Sequence, residues 1–587
     1  MAYFKRLLNL PLGWKIAWSI LLASAFLVRV WGLDFGLPND SRPDEGVILD
    51  IIIKNMLLPC LENGDCRFNP HHFGYPSLYF YFSAFWVWIG SLLYTTFWNH
   101  QTLTGFLQSY FIDPGLFKLA LRFSNVCFGT LSVIATYLLA RSLKHTRLLA
   151  FFAGILLAFS YLMIRNEHFG TVDSLLALFT TTALISIIRW CEAPKHRSLM
   201  TALVITGLAI GVKYPVIVLL LPICFGVWVH KKWFYQQYKT DFILSIFWVT
   251  AFVMLVFALT SPWLLIDFQL ALKHMNYDVY HSFHSGFTHT PQPIGWFFYP
   301  FVSFVKGCGG LFCVFVFLGA IKTVLNAQFL QKPVSIVMIF LTAFFLLFAA
   351  SSLVFTRYMM PVVPSLCVLA VVGISQFSGW FVQKYISQES YRERYRHVFS
   401  MILLVFVLIQ PLKISLEFNR LLSQKDTRID AREWLLAHIT PGEAVSTGPR
   451  VGYIHLPASY GQLWVEIPPV PFDDKHPALI QRVLNPYAIA TTVGDIRLLK
   501  EHHIRYVTLY ESGPSDFFQN AAWEKEKLLA DGAKVVAHWS PFYAGITAEQ
   551  AKLMSDYDAM DAVYFPFSQF QAYERPGPEI SILEFGK

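Results

Sequence analysis

A polytopic membrane bundle of helices with a separate soluble α/β domain at its C-terminus is the fold class this sequence predicts, on three observations. Charged residues make up only 14% of the 587, against about 25% in ordinary soluble domains. Apolar stretches recur from residue 16 to about residue 415, most of them long enough to cross a hydrocarbon core of about 30 Å. From residue 416 onward charges return, and short strand-like runs alternate with helix-like ones. The chain therefore divides into a membrane part, 1–415, and an α/β domain, 416–587.

The basic residues orient the bundle. They are scattered in small groups between apolar runs, which argues against nucleic-acid binding despite a formal charge of +8 and instead reads as a topology signal. Lys5, Arg6 and Lys15 precede the first apolar run, and its Ala23-Ser24-Ala25 triplet sits inside unbroken apolar sequence, so an uncleaved anchor is expected. Clusters around Arg141, Arg189, Lys231, Lys322 and Arg392 then fall on the cytoplasmic side. Parity holds only if one early run fails to cross. The Tyr- and Trp-rich segment Ser77 to Phe97, within an outer loop spanning 34–116, is assigned as an interfacial or re-entrant helix, leaving about eleven spans. Cys60 and Cys66 flank a short Asn63-Gly64 turn in that outer loop, where an oxidising compartment favours a disulfide.

In the C-terminal domain, DAREWLLAHI (430–439) has helical spacing. The stretch 495–503 reads as a helix before the strand IRYVTLY (504–510), KEKLLADGAKVVAHW as helix, Gly stop and strand, and EISILEF as a closing strand.

Five features face outward in this topology. Asp44 and Glu45 follow the first span at the membrane face, where a carboxylate can take an acceptor proton or hold a metal. His71 and His72 precede the aromatic helix; adjacent residues cannot both face one site, and His72 is the better candidate. The short loop RNEHFGTVD crowds Arg165, Glu167, His168 and Asp173 between two apolar runs, a costly arrangement unless it lines a cavity. Asp173 equally suits a helix N-cap. Lys213-Tyr214 and Arg357-Tyr358 place solitary cations at outer helix ends, either snorkelling to headgroups or holding a phosphate. Finally, His274, Asp278, His281, His284 and His289 lie in a long aromatic loop that suits a flap over a sugar; His281 and His284 also have one-face helical spacing for a metal.

An outer Asp-Glu pair after the first span, a Pro-containing loop entering an aromatic helix and an Arg…Asp loop further on together resemble the GT-C glycosyltransferases. More narrowly, they resemble the protein O-mannosyltransferase and aminoarabinose transferase branch, over about residues 15–415. The resemblance implies a polyprenyl-phosphate-sugar donor and a lipid, glycan or protein acceptor, with the active site and C-terminal domain on the periplasmic face of a bacterial inner membrane. It makes Asp44 the catalytic acid-base residue with Glu45 beside it, and His72, Tyr75, Arg165, His168, Asp173, Lys213, Tyr214, Arg357 and Tyr358 the substrate-binding set. A divalent metal shared by Asp44 and Asp173 is the one cofactor it allows. The competing classes are a transporter or flippase, for which the sequence shows no repeated halves, and a noncatalytic scaffold, which leaves the outer acids unexplained.

Overall fold

Backbone in lipid must satisfy its own N–H and C=O groups, so the apolar stretches become helices. The computed structural model describes residues 11–280, 282–283, 294–326, 328–440, 445–446, 454–456, 504–511, 521–558 and 564–585. His281, His284, His289 and the stretch 495–503 lie outside them. In chain order the helices are α1 (Leu12–Val30), α2 (Pro43–Asp50), α3 (Ser77–Tyr94), α4 (Gly115–Ser142), α5 (Arg147–Ala158), α6 (Tyr161–Glu167), α7 (Asp173–Glu192) and α8 (His196–Val212). They continue with α9 (Leu220–Val229), α10 (Phe242–Thr260), α11 (Phe268–Tyr280), α12 (Gly310–Val324), α13 (Val334–Ala349), α14 (Val363–Tyr385), α15 (Glu389–Leu422) and α16 (Thr427–His438).

Among the described residues, seven helices are long and apolar enough to span a membrane, or ten if each of three bent pairs counts once. Helices α8 and α13 are apolar but shorter. The protein is an integral, multi-pass membrane protein, mainly helical. Close packing in the bundle depends on small residues. A Cβ on Gly319 of α12 would lie 2.0 Å from the Leu369 carbonyl of α14, and one on Gly373 2.0 Å from that of Phe315.

Helix α3 passes the same length and composition test when its continuation to Asn99 is included, and it packs along the first half of α4, Phe82 against Phe128 and Trp86 against Phe123. Leu78, at its start, lies against Gly211 in the last turn of α8, and Gly90, three turns on, lies against Ala120 near the start of α4. Both of those ends belong to one face: Lys213 after α8 meets Asp173 at the start of α7, and Asn125 of α4 donates to the Phe169 and Thr171 carbonyls just before it.

The apolar run that reaches about residue 415 lies inside a longer helix. Helix α15 runs from Glu389 to Leu422, with Pro411 inside it; a proline is tolerated in a membrane helix when neighbours cover the freed carbonyl. Gln410 beside it bonds the backbone of Gly310 and Val305. Helix α16 follows α15, capped by the Asp426 side chain.

The C-terminal domain holds a four-stranded sheet ordered β1-β2-β4-β3, where β1 is Val445–Ser446, β2 Tyr506–Tyr510, β3 Lys534–Trp539 and β4 Ile580–Glu584. The β1–β2 pair is parallel and the others antiparallel, in register Thr508↔Ile582, with a bulge between Val535 and Ala537. Cys60 and Cys66 are joined by a disulfide closing the small loop after α2.

Candidate active site

The first turn of α2 begins Pro43-Asp44-Glu45. Proline at the first helical position and acids in the first turn both suit a helix N-terminus, whose free N–H groups favour negative charge. The two acids point to different partners. Asp44 reaches Arg357, Nη2 to Oδ2 3.0 Å, and accepts from the Tyr75 hydroxyl at 3.4 Å. Asp173, at the start of α7, receives the Lys213 ammonium at 2.8 Å and lies 3.8 Å from Arg357 Nε. Arg357 thus stands between the two carboxylates. Tyr358 and Tyr75 face the Lys213 ammonium, their ring centres 4.8 and 5.8 Å away. Asp44, Tyr75, Asp173, Lys213, Arg357 and Tyr358 therefore form one cluster assembled from α2, the loop before α3, the start of α7, the end of α8 and the turn before α14.

The loop entering α3 is clamped from the side. The Phe73 amide donates to His274 Nδ1 of α11 at 3.1 Å, and the Tyr214 hydroxyl donates to the Phe73 carbonyl at 2.9 Å. Glycine is required at position 74, because a Cβ there would meet His72 Nε2 at 2.9 Å and Asp278 Oδ2 at 3.1 Å. His72 is half-buried beside His274, ring centres 5.4 Å apart, while His71 is exposed near Asp267. Burial, then the neighbouring His274, push His72 down to about 4, so it is neutral at physiological pH. Burial and the Asp44 charge push the Asp278 carboxyl up to about 6. Burial also raises the Tyr75 hydroxyl, so it donates rather than ionises.

Three of the sequence candidates sit outside the cluster. Glu45 is fully buried and accepts two hydrogen bonds from Arg122, at 2.7 and 2.9 Å, and one from the Gly170 amide at 3.1 Å. It ties the Asp44 turn to α4 and to the loop before α7. His168 is spent on the Ile164 and Trp31 carbonyls. Arg165 faces Asp558 of the C-terminal domain, 3.6 Å away, and stacks over Phe567. The buried pair Glu167–Arg29 completes this scaffold. Sequence reasoning had no signal for Asp558, which lies in an irregular stretch far along the chain, nor for Arg122, whose charge is hidden inside an apolar helix.

The residues do not fit a divalent metal held between Asp44 and Asp173 in this arrangement. The Arg357 guanidinium occupies the space between them and Lys213 takes the other Asp173 oxygen. Among the described residues no three His, Cys, Asp or Glu side chains come together as a metal-binding group.

This helical membrane bundle, with its C-terminal domain docked against the face that carries the cluster, has an ArnT-like GT-C fold. Residues 114–266 match the family described as dolichyl-phosphate-mannose-protein mannosyltransferase. The fold is similar to that of ArnT from Cupriavidus metallidurans, solved with undecaprenyl phosphate, at TM-score 0.51 and 14% identity over 97% of this chain and 98% of that one. It is also similar to the oligosaccharyltransferase AglB from Archaeoglobus fulgidus, solved with an inhibitory peptide and a dolichol-phosphate, at TM-score 0.50 and 12% identity over 97% and 88%. No curated protein sequence matches the chain.

Proposed function

We propose that the protein transfers a sugar from a polyprenyl-phosphate donor to an acceptor hydroxyl or phosphate at the outer face of a bacterial cytoplasmic membrane. One observation carries this reading: Asp44 and Asp173 share the Arg357 cation, Asp173 adds Lys213, and the group borders a clamped aromatic loop at one membrane face. In this reading an acceptor oxygen attacks the anomeric carbon as Asp44 takes its proton. The bond from that carbon to the phosphate oxygen breaks, and the lipid phosphate leaves with inversion at carbon. Arg357, as a planar fork, and Lys213, as a point charge, hold the phosphate and stabilise the charge that grows on it, an effect strengthened where water is scarce. Tyr75, Tyr358 and the His72 loop would line the sugar, with Asp278 at its edge. The two relatives solved with polyprenyl phosphates support the donor class.

Purified protein incubated with radiolabelled polyprenyl-phosphate sugars and membrane acceptors tests it, each reaction run with and without a chelator. Labelled acceptor and released polyprenyl phosphate are expected. Transport of intact donor across proteoliposomes without transfer would overturn the reading in favour of a flippase.

A further inference from the structure

The C-terminal domain is not explained by the cluster itself, since all the residues that form the cluster come from the membrane part. Its point of entry is. Arg357 belongs to a 3-10 turn, Thr356–Val362, that leads into α14. Thr356 opens that turn, so its amide lacks a partner within it. Asp558 supplies one: its two carboxylate oxygens each lie 3.3 Å from the Thr356 amide, and the Thr356 hydroxyl also donates to it. All three participants, Thr356, Asp558 and Arg165, are buried, and Arg165 stands 3.6 Å from the same carboxylate. The surrounding C-terminal segment is fixed to the bundle on either side of Asp558. Lys306 pairs with Asp556 at 2.6 Å, and the Tyr161 hydroxyl donates to the Phe567 carbonyl at 2.7 Å.

We propose that Asp558 is a positioning residue for Arg357, so that the C-terminal domain completes the phosphate-holding half of the site from outside the membrane part. The proposal rests on the donor-binding role given to Arg357 above. Arg357 follows Thr356 directly, about 3.8 Å along the backbone, and its guanidinium spans from Asp44 to Asp173. A turn that shifts by about an ångström loses the aligned hydrogen bonds a fork-shaped donor makes to phosphate. A carboxylate suits the place because it caps the turn and stands beside the buried Arg165 at once.

The test uses the full-length protein with undecaprenyl phosphate as probe, measuring its affinity and amide exchange across residues 356–362. Asp558→Asn is expected to weaken binding about tenfold and speed exchange in the turn, whereas the same substitution in an Arg357→Ala background should cost nothing further, because coupled residues fail to add. Thr356→Val, which keeps the Asp558–Arg165 pair, should shift both readouts in the same direction by a smaller factor. Undiminished affinity in folded Asp558→Asn, or an equal loss with and without Arg357, would overturn the proposal. Should Asp558→Asn not fold, wild-type affinity and exchange in Thr356→Val would overturn it instead. If wild-type protein binds no undecaprenyl phosphate, turn exchange still decides the positioning link, and the donor assignment alone falls.

Discussion

Two sets of acid–base contacts lie within a few residues of one another and differ in how their charges are used. In the scaffold set, Glu45–Arg122 and Glu167–Arg29 are one-to-one pairs with fully buried side chains, and the Glu45 carboxylate takes three hydrogen bonds. In the candidate site, two carboxylates share Arg357, and Asp44 keeps 29% of its side chain exposed. A buried carboxylate that, like Glu45, spends both oxygens on its partners has nothing left to offer a ligand, and the pair loses heavily if broken. A shared cation beside an open carboxylate can change partners at low cost, which is what a charged substrate needs. Adjacent residues in one helical turn, Asp44 and Glu45, fall into different sets.

The sharpest break in this comparison comes from Asp44→Asn. It should cut sugar transfer by about 10² to 10⁴, the usual worth of a general base, while thermal stability and donor affinity stay near wild type. Transfer at the wild-type rate by a correctly inserted variant would remove Asp44 from the chemistry. The opposite signature is expected of Glu45→Gln, which leaves Arg122 without its charge partner at a cost of about 3–5 kcal/mol. Its unfolding temperature should drop clearly, and transfer by whatever folds should survive; a stable but inactive variant would place Glu45 with Asp44.

Smaller effects separate the two cations. Lys213→Ala and Arg357→Ala should weaken donor binding more than they slow the bound complex, and Arg357→Lys should recover only part of the loss because an ammonium lacks the fork. Isothermal binding of the donor alongside single-turnover rates checks the split. A loss confined to the rate would argue that Arg357 acts on the transition state only.

The smallest effect concerns a third kind of contact, a buried neutral group joining the two parts of the chain. The His455 ring donates to the Ile112 carbonyl, 3.1 Å away, and its amide donates to Asn39. Burial, then the Lys118 charge, hold His455 down to about 4, below the 6.5 of a free imidazole. Between those values the undocked chain binds a proton that the docked chain does not, so docking weakens as pH falls from about 6.5 towards 4. Faster amide exchange at residues 454–456 at pH 5 than at pH 7, corrected for intrinsic rates, is expected; slower exchange would reverse the sign.

Much of this architecture was legible in the chain. Apolar run length predicted the bundle, since lipid leaves the backbone no alternative to helices, and the return of charges predicted the strands β2, β3 and β4 within a residue or two. Solitary cations at helix ends marked Lys213 and Arg357, the Asp-Glu pair after the first span marked Asp44, and a crowded polar loop marked Asp173, because a charge in such a setting is expensive and needs a reason. The same rule could not separate Arg165 and His168 from the site, since a charge costs the same to bury whether its partner is a substrate or a carbonyl.

By itself, then, the sequence determined which long segments are helical and which polar side chains must find partners. Only the tertiary structure decided which partners those are. Arg122 with Glu45, Arg357 between two acids and Asp558 under Thr356 join segments from distant parts of the chain. Short-range pattern reports the need of each residue for a counter-charge; pairing is a property of the packed bundle, in which every buried charge competes for the same few neighbours.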